Sequence, residues 1–407
     1  MNNAVGLFLV RTRWLWLGSF ALLNVAMLWY LHDQILHGYG DFSALYRAGE
    51  IVRSGQAAHL YDPALQWNLP HQFWRGPLPL PFIHPPFEAL IFWPLSSLTY
   101  RNAFFVWDAV CLSMLLGTGI TLRSCIAEFR GVALWKFMVC GLAFFPVFMC
   151  LLEGQDSILQ LLCCTLALRA MKRESDALAG CWLALASFKF QFTVPIIALF
   201  FLWRRRRLVL GFLPLILVLV LVSLEISGLR SFIDYPEFAL RVVETKRLGG
   251  VPLSLLPNLH GLVVGWSAIP KGWPAMALAL AASASLFGIA AARGGMADGL
   301  SGDDFDLQFS LAVVVAVLVA WQTNIHDLSL LSLPLVLLIS YGLRNRDSER
   351  STFHLLFPAL PLLVSPLWMI LWLRIGQVNL IAIPMIWWAW KIGEELSGGA
   401  RNVTAPT

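Results

Sequence analysis

Six short stretches of an otherwise apolar chain carry side chains able to do chemistry. Asp41 sits in His37-Gly-Tyr-Gly-Asp-Phe, and a carboxylate at the mouth of a cavity suits removal of a proton from a hydroxyl. Lys189 stands alone in a long apolar run, where a cation is strongly drawn to an anion such as a phosphate. Glu153, Gln155 and Asp156 form the polar turn Glu-Gly-Gln-Asp between two apolar runs. His84 opens His-Pro-Pro, and His260 follows Asn258 in Pro-Asn-Leu-His-Gly. His326 and Asp327 lie in Thr-Asn-Ile-His-Asp-Leu. His326 or His260 can assist Lys189 at an anion, and the remaining polar groups, His84 among them, can bind hydroxyls.

Each of these residues also has a plain structural reading. Asp41 suits the N-cap of a helix starting at Phe42, and His326-Asp327 suits a local cap. Lys189 can extend its amine to the membrane interface, although an ionisable group inside a span is by default a functional one. Glu153 and Asp156 can be ordinary turn residues, and His84 can simply shape its proline loop.

The elements that position these groups follow from composition. The chain has 407 residues, 58% of them hydrophobic and only 13% charged. Soluble domains carry about 25% charged residues. A soluble enzyme, a disordered protein and a nucleic-acid binder are excluded, and the net charge of +5 forms no long basic face for a phosphate backbone. An all-α polytopic membrane protein remains. The 18 Trp suit membrane interfaces. Seven Cys, all in or beside apolar runs and without metal-ligand spacing, read as packing residues.

A spanning helix needs about 20 mostly apolar residues. Clear candidates are 14–31, 102–122, 132–152, 157–171, 208–228, 273–292, 308–323, 328–343 and 353–373, with a shorter Trp-rich run at 378–391. The first, preceded by Arg11 and Arg13 and lacking a small-residue cleavage site after it, reads as a retained signal anchor. The stretch 177–203 is one helix or two meeting near Lys189, and Pro195 favours a break. Arg11, Arg13, Arg123, Arg130, Lys136, Lys172, Arg173, Arg204 to Arg207, Arg344, Arg346 and Arg350 fall on one side only if 177–203 enters and leaves from that side. That gives a single integral domain over 1–407, about twelve crossings and cytoplasmic termini. Two long outer loops remain, 32–101 and 229–272. The first is proline-rich (Pro70, Pro77, Pro79, Pro81, Pro85, Pro86). Within it, Phe42 to Val52 has helical spacing and suits a surface helix. The segment Pro86 to Leu98 suits a short re-entrant one. All six polar stretches then gather at the outer end of the bundle.

The ordered set resembles glycosyltransferase family 87. Asp41-Phe with Leu-Tyr-Arg-Ala-Gly after it, Leu60-Tyr61-Asp62, His84-Pro-Pro-Phe with Pro94-Leu95, Glu153-Gly-Gln155, Lys189, Asn258-Leu-His260-Gly and His326-Asp-Leu carry the resemblance, over about residues 37–340. It implies a type C membrane fold and transfer of a sugar, mannose among the family's substrates, from a polyprenyl phosphate donor to a lipid-linked or envelope glycan acceptor. It also implies a catalytic role for Asp41. The acidic pair common beside the catalytic residue in other type C enzymes is missing here, so no metal and no other cofactor is expected.

Chemistry agrees with that implication. Nucleotide sugars stay in the cytoplasm, so an outer-face enzyme of the cytoplasmic membrane needs a lipid-soluble donor. Asp41 would serve as general base in a direct displacement, and Lys189, His326 and His260 would hold the donor phosphate. Glu153, Gln155, Asp156, His84, Asn258 and Asp327 would bind acceptor or sugar. Besides the donor and acceptor, the expected partners are membrane lipids and no nucleic acid. The main rival is a secondary transporter of a small anion or sugar. It predicts paired internal repeats, and none is legible.

Overall fold

A chain in hydrocarbon must satisfy every backbone N–H and C=O internally, so apolar runs fold as helices. The computed structural model describes residues 2–67, 80–244, 251–266, 272–295, 302–345 and 349–403. Among the described residues there are helices and turns but no strand. Pro70, Pro77, Pro79, Arg346 and the 245–250 and 267–271 parts of the second expected loop lie outside them.

The chain starts with α1 (Asn2–Gln34), α2 (Phe42–Arg53), α3 (Pro63–Trp67) and α4 (Pro86–Phe92). Helices α5 (Tyr100–Cys125), α6 (Leu134–Ala143), α7 (Phe145–Glu153) and α8 (Ser157–Lys172) follow. Next come α9 (Asp176–Leu185), α10 (Phe190–Leu202), α11 (Arg207–Glu244), α12 (Leu259–Gly265) and α13 (Trp273–Gly295). The chain closes with α14 (Gly302–Val319), α15 (Ser332–Arg344), α16 (Glu349–Leu356), α17 (Ser365–Met369) and α18 (Ala382–Val403). Among the described residues, six helical stretches are long and apolar enough to cross a membrane by length and composition, or eight if two bent pairs each count as one. The outward faces of α5 and α11 expose Phe105, Val110, Leu116, Leu210, Leu217 and Leu221. Such apolar surface is suited to lipid and would be a liability in water.

Three expectations are corrected by bends. The expected span 132–152 is α6 and α7, turned by 80°. Phe144 is extended at the break and Pro146 opens α7, a position where proline's missing N–H costs nothing. The expected span 353–373 is broken by 52° at Val364, in a stretch holding Pro358, Pro361 and Pro366. The second expected loop does not begin at 229. Helix α11 runs to Glu244 across a kink at Gly228, whose φ of +71° is open to glycine. The first expected loop is also largely helical. Helix α2 is no surface helix: Phe42, Leu45, Tyr46, Ala48 and Ile51 are buried, and Tyr46 donates to the carbonyl of Leu98 at 2.7 Å.

The stretch 177–203 is two helices. Residues 186–189 form a tight 3-10 turn between α9 and α10. Arg205 pairs with Asp176 at 3.0 Å, whereas a straight helix over this stretch would hold its ends about 40 Å apart. The hairpin therefore returns to its own side with Lys189 at the apex. Gly180 and Gly211 allow α9 and α11 to touch backbone to backbone. A Cβ on Gly180 would lie 1.9 Å from the Leu208 carbonyl oxygen.

Charged residues separate along the bundle. At the end opposite Lys189, Asp306 is buried between Lys172 at 2.5 Å and Arg344 at 2.7 Å. Arg344 also reaches Glu128 and Asp303. This ties the last turns of α8 and α15 to the first turn of α14. One contiguous cluster of buried apolar residues, from Ile35 to Leu396, joins the two ends.

Candidate active site

Asp41 stands where an N-cap would, but its backbone is already helical and its side chain makes no capping bond. Its Oδ2 instead accepts from Nε2 of Gln155 at 2.5 Å. Gln155 reaches it because the Glu153–Asp156 turn presses on the start of α2. Gly154 has φ +64°, and a Cβ there would sit 2.6 Å from Cβ of Phe42. Trp107 fixes the turn by donating to the Gly154 carbonyl at 2.9 Å.

Lys189 is 3% exposed and saturated. Its Nζ lies 2.7 Å from Asp156 Oδ1 and 2.7 Å from Asp327 Oδ1, and donates to Ser157 Oγ at 2.5 Å. The three hydrogen-bond acceptors of Nζ are Ser157 Oγ, Asp327 Oδ1 and, at 3.3 Å, Gln155 Oε1, while Asp156 is held as an ion pair. His326 continues the network. Its Nδ1 is 2.7 Å from Glu153 Oε2 and 3.8 Å from Asp41 Oδ2, and its Nε2 is 3.5 Å from Asp327 Oδ1. Asp327 does not cap the following helix. Its Oδ2 accepts from the Asn324 amide at 2.8 Å, closing a local turn.

On the other flank, His84 Nδ1 is 2.6 Å from Glu88 Oε2 and 3.4 Å from Asp156 Oδ2. Burial and the adjoining Asp156 charge push the Glu88 carboxyl well above the carboxylate range. Burial opposes ionisation of Asp156 too, but the Lys189 charge overcomes it and holds Asp156 below that range. Burial lowers His84, so its ring is neutral at pH 7.

Asp41, His84, Gln155, Lys189, His326 and Asp327 line one cavity of about 110 Å³, together with Gln191, Gln322, Asn324 and Tyr235. Its apolar wall includes Leu45, Leu80, Ile83 and Phe188. Among these groups Asp41 is the accessible acid. Its side chain is 29% exposed, against 0% for Asp156 and 3% for Asp327.

Asn258 and His260 are not brought to the cavity wall. Asn258 caps α12 through the Gly261 amide at 2.7 Å and donates to the Ala320 carbonyl at 2.7 Å. His260 stacks on Trp321 with ring centres 4.0 Å apart, its Nδ1 3.0 Å from the Trp321 carbonyl. Both brace the loop that delivers Gln322, Asn324 and His326. Glu88 and Ser157 were missed by sequence reasoning. His84 precedes α4, and Pro85 between His84 and Glu88 is extended, so their four-residue spacing is not a helical one and gave no local signal.

Among the described residues, two groups have donor sets that could hold a divalent cation: Asp41, Glu153 and His326, and His84, Glu88 and Asp156. In each, the candidate ligand atoms lie within 4.8 Å of one another.

The sequence profile of glycosyltransferase family 87 matches residues 82–321, more than half of the chain. The chain belongs to glycosyltransferase family 87. It is thus a glycosyltransferase, with a sugar donor and an acceptor as substrates. No curated protein and no solved structure matches it. The matched region holds His84, Glu88, the Glu153–Asp156 turn and Lys189, while Asp41 and His326 lie outside it and join it only in three dimensions.

The Gly154 turn gives a first test. In Gly154→Ala the left-handed backbone alone costs about 1–2 kcal/mol, and Phe42 must yield. We expect a lower Tm and, because Gln155 shifts against Asp41, a transfer rate reduced on the order of 10²-fold. Thermal unfolding and initial rates on the same preparation check both.

Proposed function

We propose that this glycosyltransferase moves a sugar, mannose first among the candidates, from a polyprenyl phosphate to a hydroxyl of a lipid-linked or envelope glycan acceptor. Asp41 acts as general base. One observation carries the reading: Asp41 opens into the cavity and accepts from Gln155, while Asp156, Asp327 and Glu153 are each held by a cationic or imidazole partner. A base must reach its proton, and Asp41 is the carboxylate free to do so.

In the proposed step the acceptor oxygen attacks the anomeric carbon as Asp41 takes its proton. The bond from that carbon to the phosphate oxygen breaks, and polyprenyl phosphate leaves with the electron pair. Lys189 and His326 give the deep wall its positive charge. Lys189 already divides its charge between two carboxylates, so the phosphate gains more from His326. His260 acts by holding the loop that carries His326. His84, Glu153 and Gln155 contact sugar or acceptor, and Asp156, Asp327 and Asn258 hold those contacts in place. A single displacement inverts the anomeric centre. Glu153 is close enough to Asp41 for a retaining route, but its bond to His326 disfavours it as a nucleophile. Inversion is therefore expected, and an NMR comparison of donor and product showing one anomeric configuration would sink it.

The type C fold belongs to the same proposal. About twelve crossings require the shorter helices to cross as well as the long apolar stretches. Lys172, Arg205 and Arg344 gather at the end opposite the cavity, which supports cytoplasmic termini and a site facing outward from the cytoplasmic membrane.

The test is transfer by protein reconstituted in lipid. Radiolabelled polyprenyl phosphate sugars are supplied with membrane glycolipid extract as acceptor. Label moving to glycolipid from a polyprenyl phosphate sugar is the expected result. Transfer from a nucleotide sugar and from no lipid donor would overturn the donor class.

A further inference from the structure

We propose that His84, Glu88 and Asp156 bind one divalent transition cation, zinc or manganese, in the wall of the cavity. The inference goes beyond the sugar-transfer reading and does not depend on it. The expectation of no metal came from the residues beside Asp41 and did not reach this set.

Three side chains from two distant segments converge here with polar atoms left over. Nδ1 of His84, both carboxylate oxygens of Glu88 and Oδ2 of Asp156 are buried without a hydrogen-bond partner. Nδ1 lies 2.6 Å from Glu88 Oε2 and 3.4 Å from Asp156 Oδ2. Buried polar atoms are nearly always paired, so four orphans at one point call for a bound group. A cation holding nitrogen and oxygen at about 2.0–2.2 Å keeps neighbouring ligand atoms about 3–3.5 Å apart. The 3.4 Å separation meets that spacing, and the 2.6 Å one falls short of it by less than an ångström.

Charge points the same way. Glu88 and Asp156 are 0% exposed. Lys189 pairs with Asp156 and with Asp327, each at 2.7 Å. With the three carboxylates ionised and the imidazoles neutral, one lysine leaves this buried group two negative charges in excess. Unpaired buried charge is very costly. A divalent cation brings the group to neutrality and displaces any proton that burial would force onto Glu88.

The surrounding chain places the ligands without using their ligating atoms. Tyr61 donates its hydroxyl to the His84 carbonyl at 2.6 Å, and Phe82 stacks on the imidazole with ring centres 5.5 Å apart. The Phe87 amide donates to Ser223 Oγ at 3.2 Å, which anchors the start of α4. Asp156 stands at the N-cap of α8, yet its side chain caps no amide. An imidazole nitrogen favours a transition ion over calcium or magnesium, and the two carboxylates suit zinc and manganese. His84 lines the cavity, so an ion with these three ligands has its open position on that side, for water or a hydroxyl oxygen.

The test uses the full-length protein in lipid, stripped with a chelator and reloaded with zinc or manganese chloride. Plasma mass spectrometry after desalting is expected to find one ion per chain. Glu88→Gln and His84→Gln should each weaken manganese binding at least about a hundredfold, the upper end of the roughly 10–100-fold cost of losing an outer partner of a metal ligand. Manganese electron spin resonance should show coupling to one imidazole nitrogen. That coupling should persist in His326→Gln and vanish in His84→Gln, which separates the two donor sets. Zinc should raise the Tm of the wild type and leave that of Glu88→Gln unchanged. The metal-free Tm shows that each variant is folded, and either variant alone decides. Coupling lost in His326→Gln instead would place the ion at Asp41, Glu153 and His326 and overturn the proposal. Equal affinity in the wild type and both variants would mark an adventitious ion only. A wild type that retains no ion overturns the proposal as well. None of these readouts needs transfer activity, so failure of the sugar-transfer reading is a separate result.

Discussion

Asp41→Asn lowers kcat for sugar transfer by about 10²–10⁴-fold, the usual contribution of a positioned base, and leaves donor affinity and Tm near wild type. The expectation follows from what the substitution removes and what it keeps. Asparagine retains an oxygen able to accept from Gln155, so the contact between the Glu153–Asp156 turn and α2 survives. Asp41 is partly exposed and pairs with no lysine or arginine within 4 Å among the described residues, so its charge is not a structural counter-ion. What disappears is the group that can take a proton. Donor binding, dominated by the lipid tail and the phosphate, does not need that group. Initial rates at saturating donor, a donor-binding isotherm and thermal unfolding on one preparation separate the three quantities. An active Asp41→Asn beside an inactive Glu153→Gln would move the base to Glu153, which shares His326 with it. A fall in Tm together with activity would make Asp41 a structural residue instead.

The sequence was informative where a residue type is costly in its setting, and poor where partners come from distant segments. Lys189 stood out because a lysine inside an apolar run demands explanation. Its partner Asp327 is 138 residues away, and no local pattern announces that pairing. The return of α9 and α10 to one side was legible from the placement of basic residues, because that reading concerns chain direction and not contacts. The 80° bend between α6 and α7 was not, since a hydropathy average counts Pro146 as one more residue. Glu88 was absorbed into an apolar segment by the same averaging, and the extended Pro85 between it and His84 left no helical spacing to read. His260 illustrates the converse. A histidine in a polar motif drew a phosphate-binding role, but the motif's asparagine caps a helix and its imidazole stacks on Trp321.

Lys189→Met separates structure from catalysis at the buried end of the site, and its expected cost is about 3–5 kcal/mol, the scale for removing one partner of a buried ion pair. Its Nζ satisfies two carboxylates that are 0% and 3% exposed. Without it, Asp156 and Asp327 must either remain as unpaired buried charges or take up protons, and each route destabilises the fold at neutral pH. Removing the charges together is different. The triple substitution Lys189→Met, Asp156→Asn, Asp327→Asn eliminates the conflict along with the pair, and replacing a whole buried pair by neutral groups is often tolerated. We therefore expect a large fall in Tm for Lys189→Met and recovery of most of it in the triple variant. Transfer should stay depressed in both, because His326 loses the Asp327 carboxylate 3.5 Å from its Nε2 in the second. A Lys189→Met protein that unfolds at the wild-type temperature yet binds donor weakly would point the other way. The amine would then be free enough to reach the phosphate itself, and the network around Asp156 and Asp327 would have to open when donor binds.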